Sequence, residues 1–124
     1  MGYYTYFTLN DNATAAKRRE IALWMVDNLD EWAYERNNDS FREDLHTCSF
    51  SPYEYLFDDS MKWYEHRADM SKVAKAFPDV VFLLQGIGEE FGDIWREYYC
   101  GEEYHESMVS MVFEAPDWAE DIVP

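Results

Sequence analysis

Seven carboxylates crowd the segment 84–107, LQGIGEEFGDIWREYYCGEEYHES: Glu89, Glu90, Asp93, Glu97, Glu102, Glu103 and Glu106. Gly86, Gly88 and Gly92 lie among them, with a single base, Arg96. Glycines beside charge can form a phosphate loop, but such a loop aims open backbone N–H groups at the anion from a helix N-terminus. Here the spacing is G-x-G-x-x-x-G, two glutamates follow at once, and the next run is aromatic and strand-like, not amphipathic. Nucleotide binding is therefore not expected, and the glycines read as bulge and turn residues linking two strands.

Metal chemistry fits little better. Glu89, Glu90 and Asp93 are hard oxygen ligands, yet they lack the alternating acidic pattern of a calcium loop. For zinc, His46 with Cys48 and Cys100 with His105 supply the ligand types but none of the knuckle spacing of structural sites. No metal and no cofactor is expected. KWYEHRADM, residues 62–70, places His66 near Glu65 and Asp69, the pairing a general base uses. No nucleophile motif accompanies it, so the chain is expected not to be an enzyme. A small metal-binding or enzymatic domain around His66 remains an alternative.

The remaining chemistry is an acidic contact surface. Glu97, Glu102, Glu103 and Glu106 are interleaved with Tyr98, Tyr99 and Tyr104. Same-face residues on a strand repeat about every 6.6 Å, and nucleic-acid phosphates about every 3.4 Å per strand. Two adjacent strands of carboxylates thus approach a phosphate array, and the tyrosines add apolar contact of the kind that anchors interfaces. The expected partner-binding residues are Glu89, Glu90, Asp93, Glu97, Tyr98, Tyr99, Glu102, Glu103, Tyr104 and Glu106.

These residues need a frame. YYTYFTL (3–9) has strand composition, and NDN (10–12) has turn and cap chemistry. In the following helix Ile21, Trp24, Met25, Leu29 and Trp32 share one face. Residues 33–60 are irregular, with a short helix near 40–46 capped by Ser40 and an extended piece near 53–57 or 61–64. Met70, Val73, Ala74 and Phe77 have helical spacing, closed by Pro78. VVFLLQ (80–85), IWREYYC (94–100) and YHESMVSMVF (104–113) are strands, the last apolar on both faces, and EAPDWAEDIVP is an acidic tail. The expected fold is one α+β domain over 1–124. It is a two-layer sandwich whose antiparallel sheet, with a C-terminal three-strand meander, is covered on one face by two helices.

Composition sets the partner class. The net charge is −16, concentrated in residues 27–60 (−8) and 80–124 (−10). Such a field repels nucleic acid and membrane surfaces and attracts basic partners. It also exceeds the net charge of about 2–8 that solubility asks of a small domain. Aromatic residues make up 19% of the chain, too many for an acidic disordered tail. No signal peptide or membrane span is read, and Cys48 and Cys100 have no CxxC partner, so a reduced cytoplasmic setting is expected.

The runs KWYEHRADM, FPDVVFLLQGIGEE and GDIWREYYCG resemble a group of small acidic proteins of phages, mobile elements and bacterial genomes. Its shared pattern is W-Y-x-H-x-x-D-M, F-P-x-V-x-F-x-L-x-G-x-G-E-E and G-D-x-W-x-x-Y, distantly similar to the YubB-type ferredoxin-like domain. The residues that carry it are Trp63, His66, Asp69, Pro78, Gly86, Gly88, Glu89, Asp93 and Trp95. The strand order read above departs from the ferredoxin order. That group has no settled activity to carry over; the acidic charge, on a chain of phage or mobile-element type, leads to the expectation of an inhibitor of anti-CRISPR type. Such a protein would occupy the basic nucleic-acid-binding surface of a defence nuclease by mimicking nucleic acid, without binding nucleic acid itself. An immunity protein for a basic toxin nuclease is the alternative, and a second copy of the chain is a further candidate partner through the last strand.

Overall fold

The computed structural model of the chain describes residues 3–29, 39–47, 51–57, 60–109 and 118. Its elements are β1 (Thr5–Asp11), α1 (Ala15–Asn28), α2 (Asp39–Thr47), α3 (Pro52–Leu56), α4 (His66–Ala76), β2 (Val81–Gly88), β3 (Ile94–Cys100) and β4 (Glu103–Met108). The strands form one antiparallel sheet in the order β1-β2-β3-β4. The α+β two-layer arrangement and the C-terminal meander are thus as expected. α3 packs on β1 and α4 on β3.

Alternation along each strand decides which side chains meet the helices. Three rows cross the sheet on the covered face: Phe7-Gly86-Trp95-Met108, Leu9-Leu84-Glu97-Glu106 and Asp11-Phe82-Tyr99-Tyr104. Phe7, Leu9, Phe82, Leu84 and Tyr99 are buried there. On the opposite face Tyr6, Val81 and Ile87 are exposed. The core is completed by Ile21, Ala22, Met25 and Val26 of α1 and Met70, Val73 and Ala74 of α4. Each fully buried Ile, Leu, Met or Val contributes about 1.5–3 kcal/mol relative to exposure.

Local chemistry sets the helix ends. Thr14 Oγ1 accepts the Lys17 N–H at 3.2 Å and starts α1. The α1 stripe is rotated from expectation: Ala22 and Val26 are buried, while half-buried Trp24 sets its ring edge-on against Phe77 at 5.9 Å. Leu29 caps the helix, and Trp32 lies outside the described residues. α2 begins at Asp39, so Ser40 is not its cap.

Residues 53–57 are not extended. Pro52 at the first helical position and Ser51 Oγ, which accepts the Tyr53 N–H at 3.3 Å, start a helical turn instead. Of 61–64, only Met61 joins the sheet, through two backbone hydrogen bonds with Thr5 at 3.0 and 3.1 Å. α4 ends as expected, at Phe77 before Pro78. β4 stops at Met108, and the expected seam of Met111, Val112 and Phe113 lies outside the described residues.

Asp11 fastens the end of β1 to two helices. One carboxylate oxygen accepts the Ala13 N–H and the Arg18 guanidinium, at 2.8 Å from Nη2, and the other accepts the Tyr53 hydroxyl at 2.5 Å. The Asp11 side chain is fully buried. Burial and then the bond to Asp11 hold the Tyr53 hydroxyl well above its ordinary pKa, so it stays a donor. Asp11→Asn replaces one acceptor oxygen by an N–H₂ group that faces donors. It is expected to lower stability by about 2 kcal/mol, read as a shift of the urea midpoint at constant slope.

Candidate functional site

The site begins with two glycines inside a strand. Gly86 and Gly88 both belong to β2 and both face the helix layer. They are neither bulge nor turn residues, which corrects the expectation from sequence. A Cβ on Gly86 would sit 2.1 Å from Cζ2 of Trp95, and one on Gly88 would sit 2.0 Å from Asp93 Oδ2 and 2.3 Å from the Tyr3 hydroxyl. Both glycines therefore make room for side chains lying flat on the sheet. The turn glycines are Gly92 and Gly101, with φ of 83° and 60°.

The indole of Trp95 laid over Gly86 becomes a platform. The His66 ring stacks on it at 4.7 Å and 15°. Phe7 meets Trp95 edgewise and His66 at a tilt, and Trp63 packs against Phe7 at 5.3 Å. Trp63 is fixed by its Nε1, which donates to buried Asp69 at 2.7 Å.

His66 is fixed by a buried carboxylate. Its Nδ1 lies 2.8 Å from Oε1 of Glu97, which is 3% exposed. The same oxygen accepts the Tyr99 hydroxyl at 2.8 Å. The Tyr104 hydroxyl lies 3.3 Å from the other oxygen and 2.7 Å from Glu106 Oε2, so its one proton goes to Glu106. Burial pushes the Glu97 carboxyl up, but the hydrogen bond and charge of His66, with the Tyr99 hydroxyl, outweigh it and hold the group below its ordinary value. Burial and the Glu97 charge push the Tyr99 hydroxyl up, so it remains a donor. An ionised carboxylate only accepts, so Nδ1 carries a proton. The His66 Nε2 atom makes no hydrogen bond among the described residues.

A cleft of about 160 Å³ opens beside this stack. It is lined by Tyr3, Thr5, Phe7, Trp63, Tyr64, His66, Asp93 and Trp95. The Tyr3 hydroxyl donates to Asp93 Oδ2 at 2.5 Å and accepts the Glu90 N–H at 3.1 Å. The Tyr3 N–H donates to the Tyr64 hydroxyl at 2.7 Å, and the Tyr4 N–H to Glu89 at 2.9 Å. The N-terminal segment is thereby tied to the β2–β3 turn.

The structure divides the expected acidic surface. Glu89, Glu90 and Asp93 sit at the β2–β3 turn, and Glu102 and Glu103 at the β3–β4 turn. Successive turns of a meander lie at opposite ends, separated here by one strand length, roughly 20 Å. Glu97 and Tyr99 face the helices and are buried, so they cannot contact a partner. Tyr104 is half-buried on that same side, and Tyr98 is half-buried on the open face. Glu89, Glu90, Glu102, Glu103 and Glu106 are exposed.

Of the candidate zinc pairs, Cys48 of the first lies outside the described residues, and His105 of the second faces Tyr98. Among the described residues no three His, Cys, Asp or Glu side chains converge as a metal requires. No described helix is long and apolar enough to cross a membrane. No protein family, curated protein or solved structure matches the chain.

Proposed function

We propose that this chain is an acidic protein-binding domain that occupies the basic nucleic-acid-binding surface of another protein, such as a defence nuclease or a toxin nuclease. The supporting observation is unneutralised charge on the meander. Glu89, Glu90, Glu102, Glu103 and Glu106 are exposed, and none makes an ion pair among the described residues. The one base of the meander, Arg96, donates to Gln85 at 2.9 Å. Glu103 and Glu106 stand on β4, the last strand of the sheet, on whose outer side no strand pairs among the described residues.

The geometry refines the surface. Contact is made by the exposed carboxylates at the β3–β4 end with Glu106, while Glu97 and Tyr99 build the scaffold behind them. Binding is expected to weaken steeply with salt, because exposed charges act over a Debye length of about 8 Å at physiological ionic strength. Glu102→Lys with Glu103→Lys is expected to weaken partner binding and the displacement of nucleic acid from that partner by about tenfold or more, leaving the melting temperature unchanged. The test is competition between the chain and labelled DNA or RNA for a purified basic partner, across a salt series. A double reversal that competes as well as the parent chain would refute the reading.

A further inference from the structure

The geometry points to a receptor pocket for a single guanidinium group in the cleft beside His66. Its lining is mostly aromatic, from Trp95, Trp63, Phe7, Tyr3 and Tyr64, and aromatic surroundings attract cations, arginine above all. One carboxylate, Asp93, lines it, and no lysine or arginine does. Asp93 makes no ion pair among the described residues, and its only described side-chain bond is through Oδ2 to Tyr3, leaving Oδ1 for a donor. His66 adds a second acceptor at Nε2 when neutral, since Nδ1 is committed to Glu97. Charged or neutral, His66 with ionised Glu97 carries no net positive charge, so Asp93 leaves the pocket negative. The exposed Glu89 and Glu90 deepen that field at the same turn.

The pocket is built in advance of any ligand. Gly86 lets Trp95 lie flat with His66 stacked on it, and Gly88 gives the Tyr3–Asp93 pair its place, so the carboxylate is held in position before any ligand arrives. A volume of about 160 Å³ admits one planar cation on an alkyl stem and excludes anything the size of a nucleotide. Two sources supply that chemistry: an arginine of a protein partner, or a small free guanidinium compound. The first rests on the function proposed above, for which it would provide a central anchor; the second does not.

The probe is ethylguanidinium chloride, titrated into the full-length chain and followed by amide and imidazole nitrogen shifts, with ethylurea as the neutral control of similar shape. Saturable shifts at Gly88, Asp93 and His66 with a dissociation constant on the order of millimolar are expected, with no matching response to ethylurea. Asp93→Asn keeps an acceptor for Tyr3 and is expected to weaken binding about tenfold or more. No saturation, an equal response to ethylurea, or an unchanged Asp93→Asn constant in a folded variant would overturn the pocket.

The same variant separates the two proposals. If Asp93→Asn weakens partner binding as well, the occupant is a partner's arginine. If the probe binds but no basic partner is competed for, the pocket stands with a free guanidinium ligand and the inhibitor reading falls. If partner binding survives Asp93→Asn but not the Glu102/Glu103 reversal and the probe does not bind, the pocket is refuted and the inhibitor reading stands.

Discussion

Gly86→Ala is expected to destabilise the chain by about 3 kcal/mol, the upper end of ordinary overpacking. The added methyl would fall 2.1, 2.3 and 2.7 Å from three carbons of the Trp95 indole, far inside van der Waals contact. Strand backbone on both sides is held by ladders to β1 and β3, so the indole must give way. Moving it breaks the stack on His66 and the edge contact with Phe7, and the loss spreads from one methyl to the whole corner. The decisive measurement is a double-mutant cycle by urea unfolding. Trp95→Ala alone costs packing, but Gly86→Ala added to it should cost less than about 1 kcal/mol, because the clash has been removed. Additive costs would mean that the indole does not lie over Gly86.

Glu97→Ala should cost about 3–5 kcal/mol, because two donors in the core lose their acceptor at about 1–3 kcal/mol each. The Nδ1 proton of His66 and the hydroxyl of Tyr99 both lose their acceptor inside the core. Glu97→Gln keeps the volume and one carbonyl oxygen, and should cost about half as much. The two variants also differ from the parent in acid. The Glu97 carboxyl is held below its ordinary value in the folded chain. Its contribution is therefore complete above the unfolded carboxylate range, near pH 4.5, and is lost as pH falls through the depressed folded value. Melting temperature against pH should show a shallower acid limb for Glu97→Gln than for the parent. Parallel limbs would remove Glu97 from the acid response.

What could be read from sequence follows from the range of the forces involved. Pro78 ends α4 through a clash with its own neighbours, and the meander follows from short turns, so both are legible in a single window. Gly86 and Gly88 were misleading because glycine marks a turn and a close approach alike, and the atoms that approach belong to Trp95, Asp93 and Tyr3. Tyr3 and Asp93 are joined by a hydrogen bond only because β1 crosses to pair with β2, a choice that no local pattern encodes. Glu97 was misplaced for a different reason. In IWREYYC both alternating sets carry aromatics, Trp95 and Tyr99 in one and Tyr98 in the other, so polarity alone does not say which set is inside. One signal was available: consecutive hairpin turns point to opposite ends, which already separates Glu89 and Glu90 from Glu102 and Glu103. The turn of helix at 52–56 was also visible in Ser51-Pro52, a cap followed by the residue best suited to a first helical position.

The pairing of β1 with β2 has a consequence for how the chain is made. Residues 5–11 are made well before residues 82–88, their strand partner among the described residues, with the four described helices in between. The meander of β2, β3 and β4 can close from neighbouring residues alone, whereas docking β1 must close a long loop and so comes late. Until it does, β2 presents an unpaired edge on an apolar run, Val80 to Leu84, the kind of segment that joins other chains instead. Asp79 precedes that run and Glu89 and Glu90 follow it. In the nascent chain these carboxylates act as gatekeepers, keeping identical edges apart by repulsion until the first strand comes home.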